Sequence, residues 1–437
     1  MKINFDIYGE IWFVDVENTP VDGNPPTPLC MVFKGLKSGR EIATTDIHEL
    51  WVAPYRENDI VVSFHAQDAV AAFIQLGWTT PCNIIDLFAE HRILTNGKQP
   101  LNGDGLYGVC AWYGIEPYAP LRKEGNEVLL RNLSSAGELL RQDLLYGCRC
   151  AIECYEKIFY AIREELTEYS LLRGLYAIPL AEMYINGVPV DVELIERINL
   201  RWEKIADALI KNYDFYGFFA DRKFKRHRLQ AYVNEYGIDW PRTKQGLLAI
   251  DDETFKEMAL IYPALEDIRQ LIKLLMHSKK LEFHVGQDDR TRGPLHPYAS
   301  KTGRNQPKTK TFIMNSAVAL RSLVKPAPGR SIAYIDISRA EFGEAAYLSN
   351  DPKMIEAYES DDAYLTFAEM AGALPTGVSK EDRIKIREVF KTVALALQYS
   401  MGKKGLGRKL GIAEEEAQNL IDMHKRTFKR FWQWSDG

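Results

Sequence analysis

Along the first third of the chain, apolar residues fall in short runs separated by turn-rich stretches. Residues 11–16 and 59–64 are runs of strand length, the second centred on Ile60, Val61 and Val62. Asp15 sits in the first run, with Glu17 just beyond it. A helical pattern follows from Asp68 to Leu76, Gly and Pro at 20–28 mark a loop, and 97–127, rich in Gly, Pro, Asn and aromatics, reads as a long surface excursion. Residues 1–160 therefore read as α/β. Over 165–290 the period becomes helical. Gly187-Val188-Pro189 breaks the chain, after which Leu194, Ile198, Trp202, Ile205 and Leu209 recur at steps of three or four. More helix is predicted over 252–285, with Pro263 near a boundary. Beyond 290 a polar, basic loop runs to 312, residues 331–337 read as a strand carrying Asp336, and a helix covers 338–349. Ser379-Lys380-Glu381-Asp382 has the form of a capping box, with a helix following to 400.

The chain has 437 residues, 46% hydrophobic and 26% charged, which suits a globular protein of about two to four domains. No run of about 18 uncharged apolar residues is present, so no membrane span is expected. The start has no signal-peptide stretch, and the six cysteines are irregularly spaced, so reduced thiols in the cytoplasm are expected. Cys148, Cys150 and Cys154 cluster without a second pair or a histidine at zinc spacing, and read as helix-packed thiols.

The net charge of −5 does not describe a basic nucleic-acid binder overall. Local charge changes the picture. Between Lys301 and Arg330 stand Arg304, Lys308, Lys310, Arg321 and Lys325 with no acidic residue, and a second basic patch runs Arg222, Lys223, Lys225, Arg226, Arg228. Such runs are commonly solvated faces. Thirty residues without a compensating carboxylate lean toward phosphate contacts.

Two constellations in the second half carry chemistry. Tyr334-Ile335-Asp336-Ile337-Ser338-Arg339-Ala340-Glu341 places a carboxylate where a strand meets a helix start, which suits either a hard cation or a helix cap. Arg387, Lys391, Leu395 and Tyr399 follow at steps of four along one helix face. Two cations, an apolar residue and an aromatic form a graded surface for phosphates, sugar and base, or a simple amphipathic helix with a charged end.

With both constellations in order, the chain resembles the family A DNA polymerases, phage and prophage members in particular. Asp336-x-Ser338-x-x-Glu341 resembles their motif A, Arg387-x-x-x-Lys391-x-x-x-Leu395-x-x-x-Tyr399 their motif B, and Thr302-Gly303-Arg304 their upstream Thr-Gly-Arg loop. The resemblance implies two-metal transfer from a deoxynucleoside triphosphate to a primer 3′ end, with Mg2+ or Mn2+ as cofactor. By position, Asp336 is a metal ligand assisted by the Ile337 carbonyl. Arg387 and Lys391 neutralise the triphosphate, Glu341 excludes a 2′ hydroxyl, and Tyr399 stacks near the templating base. Leu395 stands where the family has Phe or Tyr. Thr302, Arg304, Lys308 and Lys310 face primer-template DNA, joined by Lys225 and Arg226 in a thumb.

In the first half, Asp15-x-Glu17 and Asp68 resemble the first two motifs of ribonuclease H-like 3′–5′ exonucleases, again metal ligands by position. Asp86 is expected to serve packing. The third motif, Tyr-x-x-x-Asp, is incomplete. Aligning Tyr146 puts Cys150 at the Asp position, and a shift of one puts Ala151 there. Proofreading is therefore expected to be weak or lost. The implied architecture is an exonuclease-like domain over 1–160, a thumb-like helical region over 161–290, and a partial palm with fingers helices over 291–437. No His-Asp-Glu triplet, the family's motif C, follows Tyr399. The chain is thus expected to be incomplete as a polymerase, with a second polypeptide as a possible source of the remaining palm, in the host cytoplasm if phage-encoded. A non-catalytic primer-template-binding module and a nuclease alone are the competing readings.

Overall fold

Strand alternation organises the first sheet. In β1 (Ile11–Asn18), Trp12 and Val14 face one side while Ile11 and Phe13 face the other, and all four are buried. The computed structural model describes residues 1–19, 23–46, 52–116, 138–243, 245–277, 284–300, 303–307, 313 and 318–436. These form two units, Met1–Ala259 with Ala264–Ser331, and Leu260–Pro263 with Ile332–Gly437.

In the first unit β1 is joined by β2 (Pro28–Gly35), β3 (Glu41–Thr44), β4 (Ile60–Ser63) and β5 (Ile84–Asp86) in the order β3-β2-β1-β4-β5. The β1–β2 and β2–β3 pairs are antiparallel, while β1–β4 and β4–β5 are parallel. Helices cover both faces: α1 (Ala66–Gln75), α2 (Leu87–Leu94), α3 (Leu106–Trp112) and the long α4 (Glu138–Ile162). On one side Phe159 of α4 sets its edge against Phe5 and Phe13, with centroids 5.3 and 5.5 Å apart. On the other, Phe73 of α1 stacks on Phe33 at 5.9 Å and on Trp78 at 5.6 Å. Each buried aromatic of this kind contributes about 1.5–3 kcal/mol, and Phe13→Ala would cost about 3–5 kcal/mol. The period of two carries on past Phe13, so Asp15 and Glu17 emerge on the α4 side of the sheet.

The excursion expected over 97–127 holds a helix, α3, because Val109 and Cys110 bury against the α4 side. Three consecutive buried positions, Gly108 to Cys110, in seven residues leave too short a period to read. Residues 117–127 lie outside the described residues.

The helical stretch comprises α5 (Glu168–Leu175), α6 (Ala177–Asn186), α7 (Val192–Tyr213), α8 (Arg226–Glu235), α9 (Asp252–Ile261) and α10 (Leu265–His277). Asp191 caps α7 by accepting from the Leu194 amide at 3.0 Å. The fully buried positions of α7 are Ile195 and Ala206, next to the predicted stripe, whose members are half-buried. Gly174 of α5 lies so close to β5 that a Cβ there would meet the Ile84 carbonyl oxygen at 1.9 Å. Arg292, buried, grips Asp288 with two hydrogen bonds of 2.8 and 2.6 Å and donates to the carbonyls of Ile185 (2.8 Å) and Gly23 (2.7 Å).

The second unit is helical: α11 (Ala340–Ser349), α12 (Pro352–Glu359), α13 (Ala363–Met370), α14 (Lys380–Gln398), α15 (Lys403–Leu410), α16 (Glu414–Thr427) and α17 (Lys429–Asp436). Its core gathers Phe342, Phe367, Phe390, Phe428 and Phe431. Ser379 caps α14 by accepting from the Asp382 amide at 3.1 Å. The strand expected over 331–337 is not formed. Tyr334 and Ile335 are each 90% exposed, and no strand occurs among the described residues of this unit to pair with them. Apolar strand-like sequence without a hydrogen-bonding neighbour does not make a strand. Among the described residues no helix is long and apolar enough to cross a membrane.

Candidate functional site

In the second unit, α14 presents Arg387, Lys391 and Leu395 half-buried and ends at Tyr399. The Tyr399 hydroxyl donates to Glu341 Oε1 at 2.8 Å, and Gln398 Nε2 donates to the Glu341 carbonyl at 3.4 Å. Glu341 lies in the first turn of α11, which opens at Arg339 in the left-handed conformation (φ 55°). Residues of the two motifs, 58 positions apart, thus meet. Arg387 Nε donates to Asp362 Oδ2 at 2.5 Å, and its guanidinium carbon lies 5.5 Å from the Tyr364 ring centroid. Sequence reasoning left out Asp362, whose visible signal was its place as N-cap of α13. Asp336 and Ile337 lie on the exposed segment before α11. Two-metal chemistry needs more than one carboxylate. Among the described residues no three His, Cys, Asp or Glu side chains are set to hold a metal ion, so the donor set does not fit a metal pair.

In the first unit Asp15, Glu17 and Asp68 stand around the end of β1. The Asn18 side chain donates to the Asp68 carbonyl at 3.1 Å, tying the first turn of α1 to β1. What α4 brings to Asp15 is neither Tyr146 nor Cys150. Tyr155 donates to Asp15 Oδ1 at 2.6 Å, and the Cys148 thiol is a second donor. Cys148 and Tyr155 are seven apart, two helical turns, on one face. Tyr146 is 53% exposed and reaches Cys150 on the same helix. The Tyr146–Cys150 register thus misses the inward face, whereas Ala151 of the other register lies on it between Cys148 and Tyr155, and none of these three supplies a carboxylate. Burial pushes the Asp15 carboxyl upward, and the Asp68 charge adds to this, against the Tyr155 and Cys148 hydrogen bonds. Burial, then the Asp15 charge, raise the Tyr155 hydroxyl well above its ordinary range.

Asp86 serves structure, as its sequence context implied. It accepts from the amides of Phe88 and Ala89 at the start of α2, and from those of His65 and Ala66. Burial pushes it up to about 6 against those four bonds. The clustered thiols lie along α4, with Cys148 Sγ 3.6 Å from Cys30 Sγ.

The basic patches are partly spent within the fold. Arg222 pairs with Asp207 at 2.8 Å and Glu203 at 3.4 Å, Lys225 lies 3.7 Å from Asp221, and Arg228 donates to two backbone carbonyls. Arg226 is half-buried with its Nε unpartnered among the described residues. Lys325 pairs with Asp191 at 3.0 Å. Arg304 is exposed beside Gly303 (φ +73°), whereas Thr302, Lys308 and Lys310 lie outside the described residues.

Sequence comparison matches residues 226–437 to DNA polymerase family A. DNA polymerase I of Aquifex aeolicus (strain VF5) is 26% identical over 267 residues, 59% of this chain and 45% of that protein. DNA polymerase I of Chloroflexus aurantiacus is 26% identical over 264 residues, 56% of this chain and 27% of that protein. The chain thus spans under half the length of these curated relatives. Among solved structures, the POL domain of Pol1 from M. smegmatis, in complex with DNA primer-template and dNTP, superposes with a TM-score of 0.67 at 18% identity, covering 97% of this chain and 74% of that one. That likeness is one of fold. The motifs that meet at Glu341 and Tyr399 lie inside the stretch, residues 226–437, that matches DNA polymerase family A.

Proposed function

We propose that this chain takes part in DNA-templated DNA synthesis, binding primer-template DNA and a deoxynucleoside triphosphate. The observation that carries the reading is the contact between Tyr399 and Glu341, which joins the helix bearing Arg387 and Lys391 to the first turn after Asp336. Arg387 and Lys391 neutralise the triphosphate, and Arg387, with its planar fork, orients it. Glu341 lies beneath the sugar, held by Tyr399, and rejects a 2′ hydroxyl by occupying its place. Tyr399, half exposed at the end of α14, offers a ring edge to the templating base. Leu395 contributes a smaller apolar contact than an aromatic would. Arg304 and the 222–228 patch contact the DNA backbone. The family's divalent ions, Mg2+ or Mn2+, imply Asp336 as a ligand, but its lone carboxylate does not make up their donor set among the described residues.

The first unit reads as a ribonuclease H-like exonuclease fold kept as scaffold. The strand order β3-β2-β1-β4-β5, with an antiparallel β1–β2 pair and a parallel β1–β4 pair, supports this. That a tyrosine and a thiol of α4, and not a carboxylate, close on Asp15 supports loss of proofreading.

The test is a ternary-complex assay with the whole polypeptide. Affinity for a labelled primer-template should rise when the triphosphate complementary to the next template base is added, and not with a mismatched one. Arg387→Ala should remove the difference. Equal retention with every triphosphate would instead favour the second reading, a non-catalytic primer-template-binding module, which the exposed, unpaired segment around Asp336 supports.

A further inference from the structure

The cations assigned above to the triphosphate are already engaged. Arg387 Nη1 donates to Glu388 Oε1 at 2.7 Å, while Arg387 Nε holds Asp362 Oδ2 at 2.5 Å. The other Glu388 oxygen lies 3.8 Å from Lys391 Nζ. Two cations therefore face two carboxylates, and the cluster has no excess positive charge to attract a phosphate.

The two carboxylates are held very differently. Asp362 is anchored. Its Oδ1 accepts from the amides of Tyr364 and Leu365 at the start of α13, and its side chain is 27% exposed. Burial acts to raise its carboxyl, but the Arg387 bond and those amides hold it below the ordinary range. Glu388 is 55% exposed, and among the described residues its partners are Arg387 and Lys391. It bridges the same two cations that a polyphosphate would bridge, from a position where release to water costs little.

We propose that Glu388 is a built-in counter-anion for the nucleotide site. In the unliganded chain it stands between Arg387 and Lys391 in place of the triphosphate. A nucleotide's polyphosphate, with more charge and more acceptor oxygens, displaces it, while Asp362 stays and fixes the guanidinium plane as a positioning residue. Glu388 thereby lowers affinity for single anions and sets the site's preference for a chain of phosphates. The inference rests on the assignment of Arg387 and Lys391 to the triphosphate.

The experiment measures binding of a fluorescent 2′-deoxyadenosine triphosphate to the whole polypeptide, with tripolyphosphate and inorganic phosphate as competitors. Removing a weak exposed competitor should tighten binding, so Glu388→Gln is expected to lower the Kd about two- to five-fold. The gain should be proportionately larger for inorganic phosphate than for tripolyphosphate. Asp362→Asn keeps the helix cap but loosens the guanidinium, and should weaken binding. Unchanged or weaker binding in Glu388→Gln, with Arg387→Ala still losing affinity, would overturn the counter-anion role. Full affinity in Arg387→Ala would overturn the triphosphate assignment beneath it.

Discussion

Replacing His424 with leucine should remove most of the acid sensitivity of the second unit. His424 is fully buried among Phe367, Phe428 and Phe431, with ring centroids 5.2, 4.9 and 5.6 Å away. Its Nδ1 accepts from the Trp432 indole N–H at 2.9 Å, so the ring is neutral with its proton on Nε2, a buried atom with no partner among the described residues. A protonated ring could not accept that bond. Burial lowers the pKa to about 3 from 6.5. A base whose folded pKa is depressed contributes stability that is whole above the unfolded value and is lost as pH falls toward the folded one. Between pH 7 and pH 5 the unfolded histidine takes up most of a proton and the folded one almost none, which costs about 2 kcal/mol. Hydrogen exchange of amides in α14 and α16, corrected for intrinsic rates at each pH, reads this as a lower free energy of opening. His424→Leu leaves the indole N–H unpaired and should cost about 1–3 kcal/mol at pH 7. Its further loss at pH 5 should be smaller than that of the parent by about 2 kcal/mol. An equal pH-dependent loss in the two proteins would refute the reasoning and assign the acid sensitivity to other groups.

Four further outcomes are expected. Primer-template affinity should fall with salt, with a log–log slope of about −3 to −5 from Arg304 and the available cations of the second patch; a flat dependence between low and physiological salt would exclude backbone contacts as the source of binding. Glu341→Ala should raise binding of a ribonucleoside triphosphate relative to its deoxy counterpart by roughly tenfold in the ternary-complex assay, and an unchanged ratio would count against Glu341 as the sugar gate. Single-stranded DNA should survive incubation with the polypeptide and Mg2+; brisk digestion, abolished by Asp15→Ala, would mean that another carboxylate completes the first site. Residues 1–437 should give no primer extension, because among the described residues no group of metal-binding side chains gathers around Asp336. Template-directed extension lost in Asp336→Ala would reveal a metal ligand not identified above.

Much of this was legible because period and chemistry coincide in the sequence. Alternation in β1 carries Asp15 and Glu17 to one face, and steps of four carry Arg387, Lys391 and Tyr399 along α14. What escaped was whatever depended on partners. The residues that close on Asp15, Cys148 and Tyr155, lie on a helix whose motif letters pointed to Tyr146. Only the position of α4 against β1 selects among its faces. The stretch at 331–337 has strand composition, yet a strand is a property of a pair. The counter-charges on Arg222 and Arg387, from Asp207 and Asp362, are remote in sequence, so a basic run read along the chain overstates the charge left for DNA.

The Arg292 clamp bears on biosynthesis. It joins Arg292 to Gly23, 269 residues earlier, whereas the five strands and α4 are complete by Ile162. A ribosome adding roughly 5–20 residues per second needs on the order of 7–26 s to make the chain between Ile162 and Arg292. The sheet layer can close long before its guanidinium arrives. During that interval the carbonyls of Gly23 and Ile185 lack the donor that later satisfies them, and the strand-end loop and the α6 terminus depend on water instead. A nascent chain stalled before residue 292 should therefore be cut by protease near Gly23 and Asn186, and should lose that sensitivity once Arg292 has left the exit tunnel.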